Sequence, residues 1–455
     1  MNIINQLTAE MERFYAEPGP LNPQLDREAI LNALQPFDFA EARPAGDVFE
    51  TVSQLVRAGT VHITNPRYFG LFNPAPVLPA IIAEGLAAVY NPQMAAWSHA
   101  PVANEIEQHT LRFIATKLGL PLEQLASTFT SGGSEANHSA VLVGLAHHFP
   151  QSLDDGIGGL PKRPCLYVSA MAHNSFDKIA KHVGLGLSAL RIVPVNDDLQ
   201  LDIVALKAML TEDRAAGWEP FMVVGTAGAT ATGVVDPLPE LAQLCQEQSL
   251  WFHVDAAWAG AVAISPKLKP ILAGIEQADS VTVDAHKWFN LTMGAGMFFT
   301  RHAKANQQAF AVRADYMPPS ENDAVVPYLT TLQWSRRFIG LKLFMALAEI
   351  GELGYAAMIE EQTNLAHYFR EQLDQQGWQI VNKTALPVVN FTHPKLTTGN
   401  LTADDVVQQL YAQSDTWIST VTINDQKVFR FCVTNFKSTR QDVDYLLNEL
   451  TRSLY

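Results

Sequence analysis

Cysteine is scarce in this chain. Cys165, Cys245 and Cys432 are the only three in 455 residues. They are widely spaced and form no CxxC pair. This argues against a disulfide framework and against a zinc or other metal site, and it suits a reduced, cytoplasmic protein. Positive charge is also short. Lys and Arg number 31 against 46 Asp and Glu, a net charge of 31 − 46 = −15. That balance argues against nucleic-acid binding and against adsorption to an anionic membrane. No apolar run is long enough to span a bilayer. The most apolar stretches are broken by Glu84, or by Gly and Thr between 225 and 233. Residues Met1 to Gln6 show no basic stretch before an apolar core, so no secretory signal is expected. Internal repeats and low-complexity tracts are missing as well. What remains is an ordinary globular composition, 48% apolar, long enough for a large core in two or three subdomains.

The apolar pattern reads as α/β. Residues 1–60 look helical and polar. A helix from about Val102 to Leu118 is expected to bury Ile106, Phe113, Ile114 and Leu118, with Gly119 and Pro121 as its stop. From about 125 to 300, short apolar strands alternate with helical stretches, as in a parallel sheet covered on both faces. Gln151 to Pro164 reads as a surface loop. Residues 313–334 are rich in Pro, Asp and Asn and too long for a mere connection, which predicts a functional loop. Phe338, Leu341, Leu343, Phe344, Leu347 and Ile350 then mark a buried helix. Near the C-terminus, Thr439 and Asp442 make a variant capping box ahead of Val443, Leu446, Leu447 and Leu450.

Two strand ends carry the chemistry. Lys287 follows the apolar stretch Ser280–Val283. Asp255 ends Trp251–Asp255, thirty-two positions earlier. Alone, such a lysine is a solvated charge and such an aspartate a cap or turn residue. Together they suit pyridoxal phosphate: an amine to form a Schiff base and a carboxylate to keep the pyridine nitrogen protonated. Thr130 to Asn137 supplies small residues at a helix start, where backbone N–H groups and the helix dipole favour an anion. An ordinary helix cap is the plainer reading of that run. His173 sits on a loop after an apolar segment and can stack on a flat ring, or cap a helix. Thr226 ends a further apolar strand in a Gly/Thr turn.

The ordered series Ser-Gly-Gly-Ser-Glu-Ala-Asn (131–137), Ala-His-Asn-Ser (172–175), Gly-Thr-Ala-Gly (225–228), His-Val-Asp-Ala-Ala-Trp (253–258) and Asp-Ala-His-Lys-Trp (284–288) resembles the group II pyridoxal-phosphate amino-acid decarboxylases. That family includes aromatic amino-acid, histidine, glutamate and cysteine-sulfinate decarboxylases. The resemblance runs from about Asn65 to the C-terminus. It implies the fold-type I, aspartate-aminotransferase-like architecture. A mostly parallel seven-stranded sheet forms the large domain, with a small C-terminal α/β domain and a homodimer that shares its active sites. The expected division is a helical segment over 1–64, a cofactor-binding domain over 65–334 with a mobile loop near 313–334, and the small domain over 335–455.

The resemblance also implies roles. Lys287 forms the Schiff base, Asp255 partners the ring nitrogen and His173 stacks on the ring. Gly133, Ser134 and His286 hold the phosphate, while Thr226 and Ala257 line the ring. Arg430, on a strand between Phe429 and Phe431, takes the substrate α-carboxylate; its alternative is a structural ion pair. The proton donor is a loop tyrosine, with Tyr328 the best match and Tyr316 the runner-up, although Tyr328 equally suits a loop anchor. Phe72 and Trp97 line the substrate pocket, and Ala95 stands where a bulky aromatic often sits. Neither 71–74 nor 93–95 contains a lysine or arginine. The expected reaction is decarboxylation of an L-amino acid, with an aromatic or apolar side chain favoured. The alternatives are an acidic substrate, another reaction on the same cofactor (transamination, aldehyde formation, lyase chemistry), or a cofactor-binding protein without activity.

Overall fold

Short runs rich in β-branched and aromatic residues build the expected sheet. The computed structural model describes residues 3–17, 19–312, 314, 325–398 and 401–454. Seven strands form the larger sheet: β1 (Ala126–Thr130), β2 (Arg163–Ser169), β3 (Leu190–Val193), β4 (Trp218–Thr226), β5 (Trp251–Asp255), β6 (Ser280–Asp284) and β7 (Gly296–Thr300). Their order is β1-β7-β6-β5-β4-β2-β3. Strands β3, β2, β4, β5 and β6 run parallel, and β7 runs antiparallel to both β6 and β1. Every residue of β5 and β6 is buried. That is why both read as unbroken rather than alternating runs: helices cover both faces.

The helix Gly133–His148 lies close against this sheet because its inner face is small. Ala136, Ala140 and Gly144 are all buried, and a Cβ on Gly144 would stand 2.7 Å from Cε of Met222. The close approach sets the helix N-terminus beside the carboxyl ends of β5 and β6, where open α/β sheets bind ligands.

A second sheet, wholly antiparallel, comprises β8 (Gln379–Ile380), β9 (Val388–Thr392), β10 (Ser419–Ile423) and β11 (Gln426–Cys432) in the order β10-β11-β9-β8. Helices Ala403–Gln413 and Arg440–Ser453 share its core. The capping box is present: Asp442 accepts from the backbone N–H and hydroxyl of Thr439 at 2.9 and 2.7 Å. The long helix Leu341–Gln375 bends at Gly351, whose φ of 72° is not helical. Leu343, Ala346, Tyr355 and Ile359 pack into the large core, whereas Leu365, Phe369 and Leu373 pack into the small one. The change of core therefore falls inside this helix.

Two local expectations need correction. The helix at Pro101–Leu118 ends at Gly119 in the left-handed region, as anticipated. Its buried face is rotated, however: Ile106 and Phe113 are only half-buried, while Glu107 is fully buried. Glu107 is tolerated inside because it pairs with Arg336 and accepts the Gly340 N–H at 2.9 Å. The amino-terminal helices Ile3–Ala16, Arg27–Leu34 and Ala45–Gly59 are present, but they are not simply polar. None has a fully buried residue, and Ile4, Leu31 and Val56 lie exposed.

Candidate active site

Strands β4, β5 and β6 deliver Thr226, Asp255 and Asp284 to one edge, and the turn after β6 carries His286 and Lys287. Register pairs Thr226 with Asp255 on adjacent strands. These residues line a cavity of about 370 Å³ together with Gly133, Ser134, His173, Ala257 and Trp258. Eight predicted positions thus meet at one place: Lys287, Asp255, His173, Gly133, Ser134, Thr226, Ala257 and His286.

The donor and acceptor set suits a phosphorylated pyridine aldehyde. Gly133 opens the helix, and a Cβ there would come within 2.8 Å of Oδ2 of Asp284. Only a glycine leaves the backbone open at that turn. His286 accepts the Ala295 N–H through Nδ1 at 3.1 Å, so its Nε2 carries the proton. Burial lowers its pKa, which keeps it a neutral donor. Asp255 accepts from Nδ2 of Asn137 at 2.8 Å and from the Ala257 N–H at 3.1 Å. The hydroxyl of Thr226 is buried without a partner. Its backbone N–H is pinned by Asp236 at 2.7 Å, a carboxyl that burial pushes up to about 6. His173 is exposed on the cavity wall, with Nδ1 accepting the Ser175 N–H at 3.2 Å.

Arg430 lies on the face of β11 opposite Phe429 and Phe431, which fill the small core. It is 2% exposed. Its Nε donates to the Thr230 carbonyl at 2.8 Å, and Nη1 donates to the Gly70 carbonyl. Nη2 is buried with no partner. The guanidinium lies 4.8 Å from the Phe72 ring centroid, and Phe72 stacks on Trp258 with centroids 4.3 Å apart. Among the described ion pairs none includes Arg430, so the structural ion-pair alternative finds no support.

Arg430 and Phe72 do not line the cavity themselves; they touch it through Thr230 and Trp258, which do. Trp97 and Tyr328 do not line it either. Trp97 donates its indole N–H to Glu105 at 2.8 Å. Tyr328 is buried against Ala95 and Val326, its ring 4.8 Å from that of Trp334, and its backbone N–H bonds the Ala95 carbonyl at 3.1 Å. That placement matches a loop anchor. Tyr316 lies outside the described residues.

Sequence reasoning missed four supporting residues. Asp284 is 2% exposed on its side chain and lies 3.0 Å from Nζ of Lys287. Its place in the lysine motif was the available signal. Trp258 walls the cavity and donates to the Gly228 carbonyl at 2.6 Å. Asn137 and Asp236 act through partners distant in sequence and gave no local signal.

The buried network has a consequence for acid stability. Burial pushes the pKa of His253 down to about 4, against an ordinary value of 6.5. The folded protein therefore holds it neutral while the unfolded chain protonates it. Its contribution is complete above about pH 6.5 and is lost as pH falls towards 4, to a total of about 3 kcal/mol. Denaturant unfolding at stepped pH checks this. His253→Gln should show a shallower loss across that window than the native chain. An equal slope would assign the acid sensitivity to other groups.

A family model described as the pyridoxal-dependent decarboxylase conserved domain matches residues 31–393. An aromatic-L-amino-acid decarboxylase of Bacillus atrophaeus is 25% identical over 434 residues, covering 93% of this chain and 88% of the relative. An L-aspartate decarboxylase of Metarhizium robertsii is 32% identical over 288 residues, covering 63% of this chain and 57% of that protein. The crystal structure of Oryza sativa TDC with PLP and tryptamine superposes with a TM-score of 0.92 at 22% identity, over 99% of this chain and 96% of the other.

Proposed function

Because this chain belongs to the pyridoxal-dependent decarboxylase family, we propose that it removes the α-carboxylate of an L-amino acid, yielding an amine and carbon dioxide. The observation that carries this reading is the convergence of Lys287, Asp255, His173 and the Gly133 turn on one cavity. Bound pyridoxal phosphate supplies an aldehyde for amines and a ring that accepts the electron pair left by departing carbon dioxide. The chain supplies the rest. Lys287 is the covalent anchor and Asp255 holds a proton at the ring nitrogen. Gly133, Ser134 and His286 take the phosphate, with the helix N-terminus favouring its charge. His173 would lie against the ring, with Thr226 and Ala257 bordering it, since all three line the cavity. Arg430, which touches the cavity through Thr230, would hold one oxygen of the substrate carboxylate with its unpartnered Nη2 and so orient the bond that breaks.

An apolar or aromatic side chain is the preferred substrate class. Trp258 and Met293 line the cavity, and Lys287 is the only lysine or arginine among the described residues that do so. An acidic substrate is the second reading, favoured by the 32% identity with the L-aspartate decarboxylase. A screen of the loaded protein against the common amino acids, reading carbon dioxide and amine together, decides between them. Aldehyde, or a need for a keto acid, would point to another reaction on the cofactor.

The partner is a second copy of the chain. Helix Leu78–Tyr90 exposes Leu78, Ile82, Leu86 and Tyr90, a stripe at four-residue spacing. The three free, buried cysteines suit the reducing cytoplasm. No helix among the described residues is long and apolar enough to cross a membrane.

We propose Tyr316 ahead of Tyr328 as the proton donor, because Tyr328 packs as an anchoring ring against Ala95 and Val326. Tyr328→Phe removes a hydroxyl from an anchoring ring, so amine formation should stay within about threefold of native, an effect of ordinary packing size. Tyr316→Phe should slow amine formation about a hundredfold, as loss of a proton donor does, and in the presence of dissolved oxygen, as the oxidant, divert product to aldehyde with ammonia and hydrogen peroxide. Quantifying amine, aldehyde and carbon dioxide in one mixture tests both variants. A stalled Tyr328→Phe beside a normal Tyr316→Phe would restore Tyr328 as the donor.

A further inference from the structure

Asp255 ends a line of four hydrogen bonds along one face of β5. Trp251, His253 and Asp255 alternate onto that face. The Trp251 indole meets the Ser280 hydroxyl at 2.8 Å, and that hydroxyl meets Nδ1 of His253 at 2.8 Å. Nε2 of His253 meets Oδ1 of Asn137 at 3.0 Å, and Nδ2 of Asn137 meets Oδ2 of Asp255 at 2.8 Å. All five side chains are buried.

The carboxylate end fixes the direction of the links. An indole N–H only donates, but the Ser280 hydroxyl that accepts from Trp251 could accept a second hydrogen, so that end alone decides nothing. A carboxylate only accepts, so the Asn137 nitrogen donates to Asp255 and its oxygen faces Nε2 of His253. His253 must then carry its proton on Nε2, and its bare Nδ1 accepts the Ser280 hydroxyl. The second contact of Nδ1, the Ser280 carbonyl at 3.2 Å, would suit the other tautomer. That tautomer leaves Nε2 bare, flips the Asn137 amide and sets its oxygen against the Asp255 carboxylate. Two facing acceptors in a dry site are strongly disfavoured. The groups that face His253 are Asn137, Asp255 and Ser280, with the Phe176 ring edge-on at 6.3 Å. None is a cation, and burial drives the imidazole to its neutral form.

We propose that His253 and Asn137 are positioning residues for the cofactor: they hold a fixed donor on Oδ2 of Asp255 and so keep that carboxylate an anion. A proton on Oδ2 would collide with the Asn137 N–H. Oδ1 stays an acceptor, and the shared proton resides on the ring nitrogen of bound pyridoxal phosphate. The proposal rests on Asp255 as the partner of that nitrogen, and its test separates the two ideas.

The probe is pyridoxal phosphate labelled with ¹⁵N in its ring, bound to the full chain, with the ring-nitrogen shift followed between about pH 6 and 8. The native protein should show a protonated nitrogen throughout. His253→Phe keeps a ring but removes the donor. Its nitrogen should lose protonation at the upper end, and its Kd for pyridoxal phosphate should rise about tenfold, the size of one charge-assisted hydrogen bond. His253→Gln restores an N–H towards Asn137 and should return Kd to within about threefold of native. Ser280→Ala, a smaller change that guards against misfolding, should give an intermediate shift by freeing the tautomer. Native-like nitrogen shifts in folded His253→Phe and Ser280→Ala, alongside a moved shift in Asp255→Asn, would overturn the relay. An unmoved shift in Asp255→Asn would overturn the Asp255 assignment on which it stands.

Discussion

Lys287→Ala should give a folded protein that binds pyridoxal phosphate without the visible absorption band of a lysine-bound cofactor, with turnover lower by roughly a thousandfold or more. Lys287 is the half-buried lysine of the cavity, held 3.0 Å from Asp284. Lys342 is the competing buried lysine. Its amine is already committed to Glu84 at 2.9 Å and to the carbonyls of Thr292, Met293 and Gly294, so it has no capacity left for an aldehyde. Borohydride reduction and peptide mapping should label Lys287 alone; a label on Lys342 would move the site. The substitution carries a second expected effect. Asp284 is buried, and its Oδ1 has no partner. Removing the lysine leaves that carboxylate uncompensated, at a cost of about 3 kcal/mol or more in the unloaded protein. The double variant Lys287→Ala, Asp284→Asn should recover much of this stability and none of the activity. That pattern separates the chemical role of the lysine from its ion pair.

The strand-end residues were legible because their signal is local. Asp255 and Lys287 each follow a run buried on both sides, and the run itself announces the strand. Gly133 was legible for a similar reason, since small residues before a helix pattern mark an open N-terminus. The supporting shell was not. Asn137 reaches Asp255 across 118 positions and His253 across 116. Nothing in the neighbourhood of either residue encodes the other. Glu107 interrupts an apolar stripe, and only its distant partner Arg336 explains why it is buried. Phe69 fills the small core although it lies near the start of the resembling segment, because Phe69 and Trp417 pair through their backbones. Tyr328 suited both a loop donor and a loop anchor in the sequence; its ring packs against Ala95 and Val326, which agrees with the anchor.

Asp255→Asn should bind pyridoxal phosphate and lose more than about a hundredfold in kcat, equivalent to about 3 kcal/mol of transition-state stabilisation. Asp255 is 5% exposed, so its charge acts in a medium that screens poorly. The substitution removes that charge, and the surrounding bonds make the change worse than neutral. Asn137 donates from Nδ2, so an amide at 255 would turn its oxygen to meet that donor. Its NH₂ would then face the ring nitrogen. A donor at that point favours the unprotonated ring, the form least able to accept electrons from the breaking bond. The fold should survive, because the amide keeps the volume and the Asn137 bond, losing only the acceptor for the Ala257 N–H. Asp255→Ala tests the same step without the reversed donor. It should fall less far in kcat than Asp255→Asn where a water fills the gap, while binding the cofactor more weakly. The measurement is kcat at saturating cofactor, with bound cofactor counted by absorbance. Near-native turnover in a folded, loaded Asp255→Asn would remove Asp255 from the mechanism.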